Sequence, residues 1–149
     1  MSYLTGEVLP PPALRFNYSS ATAQHSNARQ GLRIYGPYDS SILGKDKINF
    51  AVICPQPLKE AGNSLLTGLT RGSGGFSGFH SLFRIPLNMV SAKMIQQETE
   101  QEVRRAAQSL AGENPDLVLI LTSTRNEEIY SSAKAELLGN GIPNQFVNA

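Results

Sequence analysis

The sequence predicts an α/β fold, a Rossmann-like domain with a mainly parallel sheet flanked by helices. Two apolar runs, at residues 48–54 and 117–121, are short and nearly continuous, which is typical of strands covered on both faces. The segments between the runs carry apolar residues at helical spacing. Strands that alternate with helices pair in parallel, and 149 residues are enough for one such domain.

Residues 1–46 are predicted to form an extended linker rather than part of the sheet, because they show no sustained apolar periodicity. The consecutive prolines Pro10 to Pro12 favour an extended path, since each ring fixes its own φ and biases the preceding residue away from helix. Residues 31–39 (GLRIYGPYD) are too apolar and aromatic for a free linker, so we expect them to form an ordered strap. The domain itself is expected at 47–149.

From residue 47 onward, strands and helices alternate along the chain. The helices are predicted from leucine, valine and alanine residues that recur on one face, and the strands from continuous apolar runs. Asn126 can cap the last helix through its side-chain oxygen, and Glu127 and Glu128 in its first turn suit the helix dipole. The expected elements are strands at 48–54, 117–121 and 142–147 and helices at 58–69, 95–110 and 126–138.

Composition and charge exclude several classes of function. Thirteen Lys and Arg residues stand against twelve Asp and Glu residues, so the formal net charge is +1. Any anion must therefore be bound by a local site rather than by the overall field. The single cysteine, Cys54, excludes an intrachain disulfide and fits a reducing compartment. With His25 and His80 as the only other soft ligands, we expect no dedicated zinc site.

We expect a cytoplasmic protein that has no membrane partner. No apolar run in the sequence approaches the roughly 20 residues that a helix needs to span a bilayer. The start of the chain, MSYLTGEVLPPPALRF, lacks the basic first segment and the apolar stretch of a signal peptide.

The glycine-rich loop at 72–78 is one candidate for chemistry, but it matches no known fingerprint. Ser77 stands where the dinucleotide-binding pattern needs its third glycine, and the loop does not follow a predicted strand. We find no catalytic set and expect no enzyme on this chain. One alternative that stays open is a small Rossmann-like enzyme that binds a mononucleotide with this loop. Another is an interaction domain whose strap at 31–39 docks on a neighbour.

A second candidate follows the strand at 117–121, because open α/β sheets bind ligands beyond the carboxyl ends of their strands. Tyr130 and Lys134 are four residues apart and share one face of the predicted helix, whose first N–H groups favour a phosphate. Lys134 adds a positive charge, Tyr130 adds a hydroxyl and a stacking ring, and Gln145 can reach the same corner. The competing interpretation is a core-edge aromatic residue beside a solvated cation.

Residues 116–145 contain a strand, a short loop, the pair Tyr130 and Lys134 on a helix, and then Gly-Ile-Pro-x-Gln ending at Gln145. This pattern resembles the guide-binding core of the MID domain of Argonaute proteins and is most similar to the prokaryotic branch. Upstream, residues 31–39 are similar to the linker that precedes MID in the same proteins. The two matches, in the right order, cover most of the chain and are more specific than the Tyr–Lys pair alone.

The resemblance implies a nucleic-acid-binding module that anchors the 5′-phosphorylated end of a small guide RNA or DNA in a guided defence or silencing system. Carried over to this sequence, Tyr130 stacks on the first guide base and contacts the phosphate, and Lys134 pairs with the phosphate. Gln145 donates a hydrogen bond to the same phosphate. The loop that lies against the base edge consists of Thr122, Ser123, Thr124, Arg125 and Asn126.

The implied partners are a guide RNA or DNA with a 5′ phosphate, a complementary target strand bound through the full-length protein, and the Piwi domain of the same polypeptide. A short Argonaute would add a separate effector protein. The resemblance requires no cofactor on this chain and allows Mg²⁺ at the guide 5′ phosphate in the full-length protein.

The family pocket has a further lysine beyond the strand that carries the glutamine, and the nuclease carboxylates of the family lie in the Piwi domain. The sequence ends at Ala149 before either of them. We therefore expect that the C-terminal part of the domain is missing and that the chain is a fragment or the front of a short Argonaute. We also expect that it does not cut nucleic acid by itself.

Overall fold

The computed structural model describes residues 10–149 of the chain. In chain order, the strands are β1 (Leu14–Arg15), β2 (Gln24–His25), β3 (Ile48–Pro55), β4 (Leu87–Ile95), β5 (Leu117–Thr122) and β6 (Asn144–Asn148). The helices are α1 (Ala28–Tyr35), α2 (Lys59–Arg71), α3 (Phe79–Phe83), α4 (Glu100–Ala111) and α5 (Glu127–Gly139). The first nine residues, and with them the start on which the signal-peptide expectation rests, lie outside the described part of the chain.

The central sheet has four strands in the order β4-β3-β5-β6, and every neighbouring pair is parallel. Helices connect the strands, and apolar residues on both faces of the sheet are covered, α4 and α5 packing on one face and α2 on the other. This arrangement confirms the predicted Rossmann-like α/β fold. Among residues 10–149, no helix is long and apolar enough to cross a membrane.

The core consists of two apolar layers, one on each side of the sheet. The layer under α4 and α5 includes Ile53 and Ile120, both fully buried, and the layer under α2 includes Val52 and Leu121. Each fully buried side chain of this size contributes roughly 1.5–3 kcal/mol relative to exposure. Cys54 belongs to the second layer, and burial raises the pKa of its thiol, so it is an inert core residue.

Within residues 47–149, the structure moves the start of one helix and adds the strand β4 and the short helix α3. The helix expected at 95–110 begins at Glu100, because Thr99 caps it and accepts a hydrogen bond from the Glu102 N–H at 3.3 Å. The Glu102 carboxylate in turn accepts from the Gln96 N–H at 2.7 Å and from the Gln97 N–H at 3.3 Å, which ties the chain before the cap to the first turn of α4. The residues before this cap form β4, an edge strand whose partly exposed, interrupted pattern gives no continuous apolar run.

The segment before the sheet is ordered, but it is not extended throughout. Residues 28–35, inside the linker predicted at 1–46, form α1, which Asn27 caps through Oδ1 to the Gln30 N–H at 3.0 Å. The Phe16 ring packs directly on Gly31 of this helix, where any side chain would collide with the ring. This close packing and the short β1–β2 hairpin fold the segment back on itself, so the extended description is wrong for this part.

Candidate functional site

The candidate site lies where α5 begins, beyond the carboxyl end of β5. Asn126 caps α5 as predicted, because its Oδ1 accepts from the Glu128 and Ile129 N–H groups at 3.0 and 3.1 Å. The cap directs the first turns of α5 across β6, the next strand of the sheet. Tyr130 and Lys134 therefore lie against β6 and are only partly exposed to solvent.

Tyr130 and Lys134 form a compact group with the first half of β6. The Tyr130 and Phe146 rings have their centroids 5.0 Å apart, and the Lys134 Nζ lies 5.3 Å from the centroid of the Tyr130 ring. The same ammonium donates to the Asn144 carbonyl at 3.2 Å. Tyr130 nevertheless keeps 44% of its surface exposed, so a ring face or edge remains open to a ligand. The four-residue spacing thus places a cation beside a half-exposed aromatic ring.

The Lys134 charge has no carboxylate partner among the described residues. The ion pairs within residues 10–149 use other cations, namely Lys45, Lys93, Arg104 and Arg125. One carbonyl and one aromatic ring stabilise an ammonium but do not neutralise it, and the group has three N–H donors. Lys134 can therefore still donate charge-assisted hydrogen bonds to an anion.

Gln145 lies between Asn144 and Phe146 on β6, but its side chain points away from the Tyr130–Lys134 group. Successive residues of a strand point to opposite faces, and Phe146 packs toward α5, so the Gln145 side chain is directed to the other face. Its Nε2 donates to the Phe146 carbonyl at 2.8 Å, and the residue is exposed. The structure brings together Tyr130 and Lys134, but not Gln145.

The loop from Thr122 to Asn126 is held at its first two residues and open in its middle. Thr122 is buried, and its carbonyl accepts from the N–H of Ala149 at 3.0 Å. Thr124 and Arg125 are exposed, and the Arg125 ion pair at 3.2 Å lies on the surface, where such pairs contribute little. The open part is therefore the segment that a ligand can meet.

Glu98 is a residue of this site that the sequence did not reveal. It falls within the range in which the sequence predicted a helix, 95–110, but in the structure it precedes the Thr99 cap, and its side chain reaches the end of β5. Its Oε2 accepts from the Ser123 N–H at 2.8 Å and from the Ser123 hydroxyl at 2.7 Å, while Oε1 is buried without a partner among the described residues. The sequence pattern Thr99-x-x-Glu102, which is typical of a helix start, was the available signal that Glu98 precedes the helix and is not part of it.

The glycine-rich loop at 72–78 has a different geometry from a nucleotide cradle. It follows a helix, α2, and leads into the five-residue α3, instead of joining a strand to a helix. Within it, Ser73 and Phe76 exchange two backbone hydrogen bonds of 2.9 Å each, so these N–H groups are occupied. This arrangement does not favour the mononucleotide-binding alternative.

A large apolar cavity of about 670 Å³ lies at the opposite, amino edge of the sheet. Its lining includes Ile42 and Leu43 of the linker and Phe79 and Phe83 of α3. The cavity contains none of Tyr130, Lys134 or the loop residues. It is therefore separate from the candidate site, and its apolar lining does not suit a phosphate.

The side chains of the candidate site do not form a magnesium ligand set. Mg²⁺ requires oxygen ligands in near-octahedral geometry, whereas the group at α5 offers an ammonium and aromatic rings. Within residues 10–149, no three His, Cys, Asp or Glu side chains gather closely enough to hold a metal ion.

Comparison with known proteins gives matches among solved structures alone. The sequence matches no protein-family model, and no curated protein is found to be similar to it. A crystal structure of Drosophila Piwi superposes with a TM-score of 0.67 and 19% identity, over 96% of this chain and 19% of that chain. Clostridium butyricum Argonaute, bound to a guide DNA and a target DNA, gives a TM-score of 0.67 and 18% identity, over 95% and 20% of the two chains.

Aquifex aeolicus Argonaute is a third similar structure, with a TM-score of 0.55 and 20% identity over 83% of this chain and 18% of that chain. The chain thus spans about a fifth of the length of these proteins. At such low identity the likeness concerns the fold. The domain has an Argonaute-related fold.

Proposed function

We propose that this chain is a MID-type nucleic-acid-binding module that anchors the 5′-phosphorylated end of a small guide RNA or DNA in an Argonaute-type system. The observation that carries the proposal is the Lys134 ammonium, which is held beside the half-exposed Tyr130 ring with no carboxylate partner among the described residues. The Argonaute-related fold supports it, because a structural neighbour is described as bound to a guide DNA.

In this mechanism the chain recognises a terminal phosphate by charge and a first base by stacking. Lys134 donates to the phosphate oxygens. The Tyr130 hydroxyl adds a second donor, and its ring is held in place by packing against Phe146. A terminal phosphomonoester carries more charge than an internal phosphodiester and leaves more oxygens open. Ends with a 5′ phosphate are therefore favoured over ends with a 5′ hydroxyl.

Gln145 enters this mechanism only after a side-chain movement. Its carboxamide must release the Phe146 carbonyl and turn around β6, which is an edge strand of the described sheet. The open loop residues Thr124 and Arg125 lie where the first base would meet the chain. The neighbouring Ser123 is held by Glu98 and contributes a fixed backbone position rather than a free donor.

The experiment that tests the proposal is an NMR titration of the chain with the four nucleoside 5′-monophosphates and with an unphosphorylated nucleoside. We expect saturable shifts at Tyr130, Lys134 and the loop, absent with the nucleoside. Lys134→Ala should abolish them, whereas Lys59→Ala, which removes an exposed lysine on α2, should not. Equal shifts with phosphorylated and unphosphorylated ligands, or shifts confined to 72–78, would contradict the proposal.

A further inference from the structure

Three exposed arginines lie together on the side of the molecule away from α5. Arg29 and Arg33 are on α1, and Arg84 directly follows α3, which packs against α1. We call this group the arginine surface. Helix α3 also contacts α2, the helix on the sheet face opposite to α5. The arginine surface and the Tyr130–Lys134 group are therefore on different faces of the domain.

The arginine surface has a defined shape. Arg29 and Arg33 are one helical turn apart, so both side chains leave the same face of α1. They line a concavity of about 310 Å³ together with Ser77 and Gly75 of the glycine-rich loop. The Arg29 guanidinium lies so close to Gly75 that a methyl group there would come within 2.5 Å of Nη2. Glycine at this position lets the guanidinium rest on the loop.

The charge of this surface is not balanced locally. Residues 10–38 and 61–92, which contain α1, the glycine-rich loop and α3, include five arginines and no aspartate or glutamate. None of the ion pairs within residues 10–149 involves Arg29, Arg33 or Arg84. A domain with a net charge of only +1 thus concentrates unpaired positive charge on one face.

We propose that the arginine surface binds the sugar-phosphate backbone of a nucleic-acid strand, as a contact separate from the 5′-phosphate site. Guanidinium groups match phosphate oxygens in a bidentate geometry, and two of them one helical turn apart can hold neighbouring phosphates of one strand. The concavity is lined mainly by polar side chains, such as Asn27 and Gln30, and its one buried apolar residue is Leu82. This lining suits phosphates better than an apolar peptide.

The contact does not depend on the proposed anchoring of the guide end. Because Lys134 lies on the other face, a strand bound at the arginine surface meets it with internal phosphates rather than with its 5′ end. Such binding is independent of base sequence and strongly dependent on salt.

The test uses a mixed-sequence 20-nucleotide single strand with a 5′ hydroxyl and a 3′ fluorescent label, followed by anisotropy between about 50 and 200 mM salt. The probe has no 5′ phosphate, so it reports backbone binding alone. For Arg29→Gln/Arg33→Gln we expect about 10-fold weaker binding at the lowest salt. We also expect a salt slope smaller by about 1.4, because each single-strand phosphate contact contributes about 0.7.

Two further variants distinguish a local contact at the arginine surface from a general effect of the net charge, and melting checks that the variants fold. Lys59→Gln/Arg105→Gln also removes two exposed cations but lies off the surface, so its binding should change less than about 2-fold. Arg29→Lys/Arg33→Lys keeps the charge and should keep most of the salt slope. Thermal melting of each variant should show an intact fold.

Three results would overturn the proposal. They are no binding of the 5′-hydroxyl probe by the wild-type chain, equal losses in the Arg29→Gln/Arg33→Gln and Lys59→Gln/Arg105→Gln variants, or competition by polyglutamate as strong as by nucleic acid. The last result would indicate an acidic protein partner instead. The affinity ratio between 5′-phosphorylated and 5′-hydroxyl probes reports the guide-end site, so the failure of one proposal is distinguishable from the failure of the other.

Discussion

At the scale of single residues, the chain joins its loops through a few polar contacts between residues distant in sequence. Glu98 holds Ser123, 25 residues away, and Asp116 holds the Asn49 N–H at 2.8 Å and the Lys45 ammonium. Both contacts are made by charged oxygens, which form stronger hydrogen bonds than neutral acceptors. They fix the two ends of β5, and α5 with the candidate site follows the second end.

We expect Glu98→Ala to loosen the loop at Ser123 and to lower the free energy of unfolding by about 1–3 kcal/mol, because it removes a charged acceptor from two donors. Amide hydrogen exchange at Ser123 and a denaturant melt measure the two effects. Glu127→Ala, which removes an exposed carboxylate in the same region, is the matched control. Unchanged exchange at Ser123 would show that Glu98 does not hold the loop.

Asp116 predicts how stability depends on pH. The hydrogen bond from Lys45, and then that from the Asn49 N–H, holds the pKa of the Asp116 carboxyl below its usual value. A lowered folded-state pKa stabilises the fold above the unfolded pKa of about 3.9, and this stabilisation is lost as pH falls through the folded value. Thermal melts from pH 7 to pH 2 should therefore show a steeper acid loss for the wild type than for Asp116→Asn. Parallel curves would contradict this assignment.

At the scale of elements, the segment before the sheet depends on one close approach between a ring and a helix. Phe16 is buried against Gly31, and α1 carries Arg29 and Arg33 on its exposed side. The packing of this one ring therefore sets where the arginine surface lies relative to the domain.

Gly31→Ala should displace the Phe16 ring and cost about 1–3 kcal/mol, as overpacking of a filled site does. The measurement is a urea melt of the whole chain, with near-UV circular dichroism as a second probe of aromatic packing. Gly139→Ala is the matched control, because a methyl group there meets no atom within 4 Å. We expect that variant to be neutral or slightly more stable. Similar losses in both variants would show that the Phe16 contact does not decide the effect.

At the scale of the whole molecule, charge is divided unevenly along the chain. Residues 10–95 contain nine basic and three acidic residues, whereas residues 96–149 contain four basic and eight acidic ones. The candidate phosphate site belongs to the acidic part and the arginine surface to the basic part. The surrounding charges thus weaken the binding of an anion at Lys134 and strengthen it at α1.

We therefore expect this chain by itself to bind a nucleoside 5′-monophosphate weakly, with a Kd of about 0.1–1 mM, from a few charge-assisted bonds. Isothermal titration at two salt concentrations measures the affinity and its electrostatic part. A Kd near 1 μM would contradict the prediction and would mean that the described residues already form a complete, favourable pocket.

Much of the fold was predictable because its signals are local. The strands at β3 and β5 are continuous apolar runs, and Asn126 caps α5 through hydrogen bonds to N–H groups two and three residues away. Strand β4 was missed because it is an edge strand with partly exposed residues, and α1 because it lies on the surface beside the hairpin. For such elements the apolar pattern of the sequence is weak, and tertiary contacts decide whether a strand or a helix forms.

The sequence by itself determined the parallel α/β architecture and the pairing of Tyr130 with Lys134, because apolar periodicity and helical spacing act over a few residues. The tertiary structure decided that Gln145 turns away from that pair, that Glu98 holds Ser123, and that arginines from two separate segments share one face. These outcomes depend on strand alternation and on which distant segments pack together. Distant segments pack together because this buries apolar surface across the whole domain. Which segments meet therefore cannot be predicted from any short stretch of sequence.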